Sequence, residues 1–346
     1  MGDSLLSISS IASESERLRG HLVRLSSPMS DPIRFRPIYQ TRVWGGRRLE
    51  SLLGRTLPDE QPYGESWELC DRAEAQSIVA DGPLAGMTLH ELWTQHRVAV
   101  FGARHRDHPA ERFPILLKIL DCADVLSLQV HPPLDVAAEL GGEPKTEMWF
   151  VAHTDEGAKI YAGLRRGVTR EKFEAALQNG SVADLVHSTT THAGEFMFVE
   201  SGRLHALGAG LLIYEIQQNS DTTYRVFDWN RVGLDGKPRA LHVKESLASI
   251  DFHDFEPTMQ SPAPDGRMAE CPWFATLRRD LASRDSTTIR AADDDFVCLA
   301  FVRGSGLLGQ DPVVSGDFVL LPADQPANSI TAGPNGLDWL EITLPS

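Results

Sequence analysis

From Phe35 onward the chain advances in short apolar segments separated by Gly, Pro and Asp, with 28 Gly and 21 Pro in all. That punctuation limits the fold more than any other feature. A short apolar run bounded by turn formers is too brief for a helix with a full apolar stripe, but suits a strand. Ser77–Ala80, Phe113–Ile119, Ser127–Val130, Met148–Ala152 and Lys159–Ala162 read as strands, and the chain is expected to be mainly β. Two helical interruptions are predicted, near 88–98 and 169–187. Thr88 followed by Glu91 has the spacing of a capping box. Thr169 opens a segment with Phe173, Ala176 and Leu177 on one face, which stops at Asn179-Gly180.

A faint repeat adds to this. Gly194-Glu195-Phe196-Met197-Phe198-Val199-Glu200 aligns with Gly316-Asp317-Phe318-Val319-Leu320-Leu321-Pro322, each a Gly-acidic turn entering an apolar strand. Two related β-barrels are therefore predicted. In this register His205 falls opposite Ala327, so the second copy would lack that ligand. At 346 residues the chain is long enough for two domains. The expected division is an extension over 1–31, a metal-binding domain over 32–260 and a second β domain over 261–346. The Ser-rich start lacks the continuous apolar stretch of a secretory signal. It reads as a disordered extension ahead of a compact start at Met29.

Several classes are disfavoured. The net charge is −15 and no block of Lys and Arg forms a nucleic-acid face. No apolar run is long enough to span a bilayer. Cys70, Cys122, Cys271 and Cys298 are scattered without CxxC spacing, as reduced thiols of a cytoplasmic protein would be. Nothing in the sequence signals an oligomeric state.

The chemistry concentrates between Ser127 and Arg231. His131, Glu147 and His205 offer two imidazoles and a carboxylate, a mixed N/O set suited to zinc, or to iron, nickel or manganese. Three protein ligands leave open positions, as a catalytic metal requires. Gln129 precedes His131 by two residues, so on a strand both point to one face, and its amide oxygen is a further candidate ligand. The run from Glu215 to Tyr224 holds Gln217, Gln218, Asn219, Ser220, Asp221, Thr222 and Thr223, a density of amides and hydroxyls matched to a polyhydroxylated ligand. Arg225 adds a planar fork for phosphate or carboxylate.

Six segments in order resemble the type I mannose-6-phosphate isomerases of the cupin superfamily, in their shorter bacterial form. They are Gln40-Thr-Arg-Val-Trp-Gly-Gly, Gly64-Glu-Ser-Trp-Glu, Ser127-Leu-Gln-Val-His-Pro, Gly142-Glu-Pro-Lys-Thr-Glu, His205-Ala-Leu-Gly-Ala-Gly and Glu215 to Arg231. The resemblance covers about residues 36 to 346. It implies two cupin-type, jelly-roll-like β-barrels with the metal in the first only. It assigns His131, Glu147 and His205 to one metal ion, usually zinc, with Gln129 as a fourth ligand in part of the family. Arg225 matches the active-site arginine, Lys145 and Glu215 match residues lining the sugar pocket, and Ser127 and Lys118 match positions near the substrate phosphate. One departure is visible: the family's Pro-x-Gly-x-x-His turn has Glu200 in place of the proline, with the large Arg203 inside the turn.

The implied reaction is the interconversion of mannose 6-phosphate and fructose 6-phosphate through a cis-enediol, with Glu215 or Lys145 as the base. The alternatives are an isomerase for another sugar or sugar phosphate on the same fold, an iron-dependent cupin oxygenase, and a non-catalytic sugar-binding cupin.

Overall fold

The alternation of strand Leu211–Gln218 explains how the layers stack. Leu212, Tyr214 and Ile216 point one way into a core shared with the C-terminal sheet. Leu211 and Ile213 point the other way into a second core, and Glu215 and Gln217 continue that face as polar residues. All eight residues of the strand are buried, so it lies at the centre of the molecule. The computed structural model describes residues 31–346 except Asp293, Asp324 and Ser346. The expected N-terminal extension thus lies outside the described residues, apart from Asp31.

Eleven strands form the first two sheets: β1 (Ile38–Gly46), β2 (Tyr63–Leu69), β3 (Ile115–Cys122), β4 (Leu128–Val130), β5 (Glu147–Thr154), β6 (Lys159–Leu164), β7 (Val186–Thr190), β8 (Phe196–Val199), β9 (His205–Leu207), β10 (Leu211–Gln218) and β11 (Tyr224–Phe227). A six-stranded sheet has the order β1-β2-β3-β10-β5-β8, and a five-stranded sheet the order β11-β4-β9-β6-β7. Pairing is antiparallel throughout. Leu120, Val151 and Ile213 of the first sheet share one apolar cluster with Ile160 and Leu207 of the second, so the sheets face one another. The outer face of the five-stranded sheet packs Leu128, Val130 and Leu164 against Phe173 of helix Arg170–Asn179. A third, seven-stranded antiparallel sheet runs from Arg267 to Thr343. The chain is mainly β, as expected.

Both predicted helices form where their caps put them. Thr88 and Glu91 make a reciprocal capping box ahead of Leu89–Gln95, and Thr169 caps Arg170–Asn179, which ends on left-handed Gly180. Ser77–Ala80 differs from expectation. It makes only isolated bridges, through Ile78 to Thr88 and Val79 to Phe35. The Ser77 hydroxyl takes the Cys70 amide, and the Gly82-Pro83 turn follows at once, so no ladder extends.

The repeated segments share local geometry. Gly194 and Gly316 have φ of 92° and 100°, and four-residue strands follow both, β8 and Phe318–Leu321. Gly194 N donates to Val151 O while Val151 N donates to Glu195 O, and Gly316, Phe301 and Asp317 repeat the pattern.

Candidate metal centre and polar cavity

His131 follows β4, Glu147 opens β5 and His205 opens β9, so three strand ends meet between the facing sheets. The Nε2 atoms of His131 and His205 lie 3.7 and 3.6 Å from Glu147 Oε1. One ligand atom from each residue can be chosen so that all lie within 4.8 Å of one another. Ligands about 2.0–2.1 Å from one tetrahedral ion lie roughly 3.3 Å apart, so this spacing is close to that of a bound ion. Each imidazole is fixed through its other nitrogen: Nδ1 of His131 donates to Thr222 O and Nδ1 of His205 to Arg203 O, both at 2.8 Å. That tautomer turns both Nε2 lone pairs inward.

All three residues are at most 1% exposed, yet both Nε2 atoms and both Glu147 carboxylate oxygens lack a hydrogen-bond partner. Lys145 Nζ stands 2.7 Å from Glu147 Oε2, an ion contact without hydrogen-bond geometry. Unpartnered buried acceptors are costly, about 1–3 kcal/mol each, unless a cation takes them. The donor set therefore fits a divalent ion. Burial lowers both imidazoles, and with His131 beside it His205 falls to about 3, so both stay neutral as ligands must. Burial would raise the Glu147 carboxyl, but Lys145 and the imidazoles hold it well below the carboxylate range. Among the described residues this is the one group of three or more His, Cys, Asp or Glu able to share an ion.

Gln129 is the cross-strand partner of both His205 and Arg225, so Arg225, Gln129 and His205 form a row across three strands. Directly paired residues share a face of the sheet, which puts the Gln129 amide beside the His205 ring. On the opposing sheet Glu215 pairs with Lys118 and with Trp149. The two rows bound a cavity of about 290 Å³ whose lining includes Ser127, Gln129, Lys118, Lys145, Glu215 and Arg225. These six residues thus border one space, and Lys145 joins that space to Glu147. A larger cleft of about 830 Å³, lined in part by Arg112, Trp273 and Pro345, holds none of these six, though Gln218 and Asn219 of the polar run border it.

Buried charges alternate along the cavity floor. Lys145 Nζ lies 3.5 Å and Lys118 Nζ 3.4 Å from Glu215 Oε1, and Trp149 Nε1 donates to Glu215 Oε2 at 3.0 Å. Lys118 also lies 3.8 Å from Glu65, which accepts a hydrogen bond from Arg42 at 2.8 Å. Burial and the nearby Glu147 raise the Glu215 carboxyl above its usual range, against the two lysines. Burial would lower the Lys145 ammonium, but Glu147 and Glu215 hold it above the usual lysine value. Asp221 and Thr223 of the polar run also line the cavity, as do Glu65, Arg42 and Arg239, to which the sequence alone assigned no role. Glu65 and Arg42 stood inside resembling segments, whereas Arg239 carried no local signal.

The polar run after Glu215 is largely scaffold. Gln217 Nε2 donates to the carbonyls of Gln218 and Ser220, and Asn219 Nδ2 to those of Asp71 and Phe113. Gln218 Oε1 accepts the Thr146 amide, and Thr222 Oγ1 accepts that of Glu143. These bonds hold the rim, and only Asp221 and Thr223 of the loop line the cavity. The turn lacking the family's proline is held differently. Arg203 forks onto Asp254 at 2.8 and 3.0 Å and donates to Phe198 O at 2.6 Å, fixing the carbonyl that orients His205.

A family model described as the catalytic domain of type I phosphomannose isomerase matches residues 33–142. The mannose-6-phosphate isomerase ManA of Bacillus subtilis is 33% identical over 305 residues, covering 85% of this chain and 93% of the relative. A crystal structure of the mannose 6-phosphate isomerase from Bacillus subtilis superposes with a TM-score of 0.79 at 30% identity, over 90% of this chain and 99% of the other. A mannose 6-phosphate isomerase crystallised with zinc and yttrium has the same fold, with a TM-score of 0.69 at 18% identity over 91% of this chain and all of the other.

Proposed function

The chain belongs to the type I mannose-6-phosphate isomerase family, and from that premise we propose that it interconverts mannose 6-phosphate and fructose 6-phosphate with one divalent metal ion. The reading is supported most by one observation: four unpartnered buried donor atoms on His131, Glu147 and His205 adjoin a cavity lined by Lys145 and Glu215. His131, Glu147 and His205 would hold the ion, with Gln129 beside them, and the donor set suits zinc. Bound there, it supplies Lewis-acid polarisation of the sugar carbonyl and offsets charge developing on oxygen.

The chain's own groups move the protons. Glu215 is assigned as the base that takes the proton from C2 of the aldose and returns it to C1 of the cis-enediol, while a proton passes from O2 to O1, leaving the hydroxyl at C1 and the carbonyl at C2. Its raised proton affinity suits a base working near neutral pH. Trp149 fixes one Glu215 oxygen and leaves the other, flanked by Lys118 and Lys145, toward the cavity. Lys145 is held as an ammonium and serves as hydrogen-bond donor to sugar oxygen rather than as base. Ser127 shares the Gln129 face of β4 and offers a hydroxyl to the substrate. Lys118 is surrounded by Glu65 and Glu215, and its role is to hold Glu215 more than to bind phosphate. Arg225 takes the phosphoryl end.

A coupled assay of mannose 6-phosphate, glucose 6-phosphate and free mannose tests this reading. Selective turnover of mannose 6-phosphate is expected. Preference for another substrate would reassign the isomerase, and no turnover by metal-loaded protein would leave a binding cupin.

A further inference from the structure

The loop after β11 brings a second guanidinium to Arg225. The chain leaves through Trp229 and Asn230, both at positive φ (54° and 56°). Trp229 anchors this limb by donating to Leu126 O at 2.6 Å and packing on Tyr161 and Phe227. The returning limb runs back along β11. His242 N donates to Arg225 O at 2.8 Å, Arg225 N donates to His242 Nδ1 at 3.1 Å, and Arg225 Nη1 donates to Ala240 O at 2.9 Å. Arg239, one residue before Ala240, lines the cavity with Arg225.

The charges at this corner do not balance. Asp228, 5% exposed, is shared by Arg239 (Nε at 2.7 Å) and Arg231 (Nε at 3.0 Å). Among the described residues no carboxylate lies within ion-pair distance of Arg225, and its buried Nε lacks a partner. Burial and the neighbouring Arg239 lower the proton affinity of Arg225. Arg231 also reaches the exposed Asp124 at 3.4 Å, which leaves Arg225 the guanidinium of the three without a carboxylate; an anion joining it to Arg239 would offset their repulsion, and planar forks match phosphoryl oxygens. Lys118, which the resemblance places near the substrate phosphate, already faces two carboxylates.

We propose that Arg239 and Arg225 together form the subsite for the substrate's phosphoryl group, with Asp228 holding the Arg239 fork in place. The identity of the anion rests on the sugar-phosphate reading above, but the subsite can be measured without turnover. Inorganic phosphate is titrated calorimetrically into metal-loaded protein. Arg239→Gln should weaken phosphate binding roughly tenfold or more. Arg231→Gln, which frees the same Asp228 but does not line the cavity, should leave it near wild type. Wild-type affinity in Arg239→Gln, or an equal loss in Arg231→Gln, would overturn the proposal. Should Arg239→Gln fail to fold, Arg239→Lys decides: weaker binding supports the subsite, and unchanged binding overturns it. Loss of phosphate binding in a chain whose wild type turns over no mannose 6-phosphate would leave the subsite standing and remove the isomerase reading.

Discussion

His131 and His205 aim their Nε2 atoms at Glu147 because backbone carbonyls of Thr222 and Arg203 hold the opposite ring nitrogens. The residue types were legible in the sequence, and the resemblance alone joined them at one ion, since spacing does not show which strand ends meet. The tethering carbonyls belong to residues whose side chains predict nothing of the kind. His205→Ala should abolish both metal binding and isomerase activity while leaving the far-ultraviolet circular dichroism unchanged; an active, metal-bearing variant would show that another group holds the ion. The same burial gives the metal-free protein a pH dependence. Burial depresses both imidazoles, so between about 3 and the unfolded value of about 6.5 the folded chain binds fewer protons than the unfolded one at His205. Stability is then complete above about 6.5 and falls as pH drops through this window. Glu215, with its raised carboxyl, opposes the trend above about 4.5. Urea midpoints of metal-free protein should fall between about pH 7.5 and 5, and fall less in His205→Ala.

Four of the five segments read as strands do form, and the short, capped helices could be read from local signals, because a Thr-x-x-Glu box or a Gly stop acts within one turn. Ser77–Ala80 differs, since its apolar residues make single bridges to two different partners and no ladder. The run from Gln217 to Thr222 misled for a related reason: amides that bind a sugar and amides that staple a loop have the same composition. Asn219 joins the carbonyls of Asp71 and Phe113, distant in sequence. Asn219→Ala should leave both carbonyls unpaired and cost about 1–3 kcal/mol. Urea denaturation measures this, and an unchanged midpoint would mean that water replaces the amide.

The six-stranded sheet and the C-terminal sheet share one apolar core, which joins Tyr214 and Ile216 to Phe318, Leu340 and Ile342. Tyr214 stacks on Phe318 with rings 5.6 Å apart and donates to Phe301 O at 2.9 Å. The repeat hinted at two related β units, but a shared core depends on outward-facing residues that no repeat reveals. The proposed division near residue 260 should therefore not separate two independently stable parts. Urea unfolding followed by tryptophan fluorescence and by circular dichroism should give coincident transitions, whereas two resolved steps would show separate units. One ion at His131, Glu147 and His205, acting with the surrounding residues, is the proposed basis of sugar-phosphate isomerisation. Following mannose 6-phosphate turnover while chelator-treated protein is titrated with zinc tests this. Negligible turnover is expected without metal, with a rise that saturates near one equivalent per chain; full turnover by the metal-free protein, or saturation near two equivalents, would rule out a single essential ion.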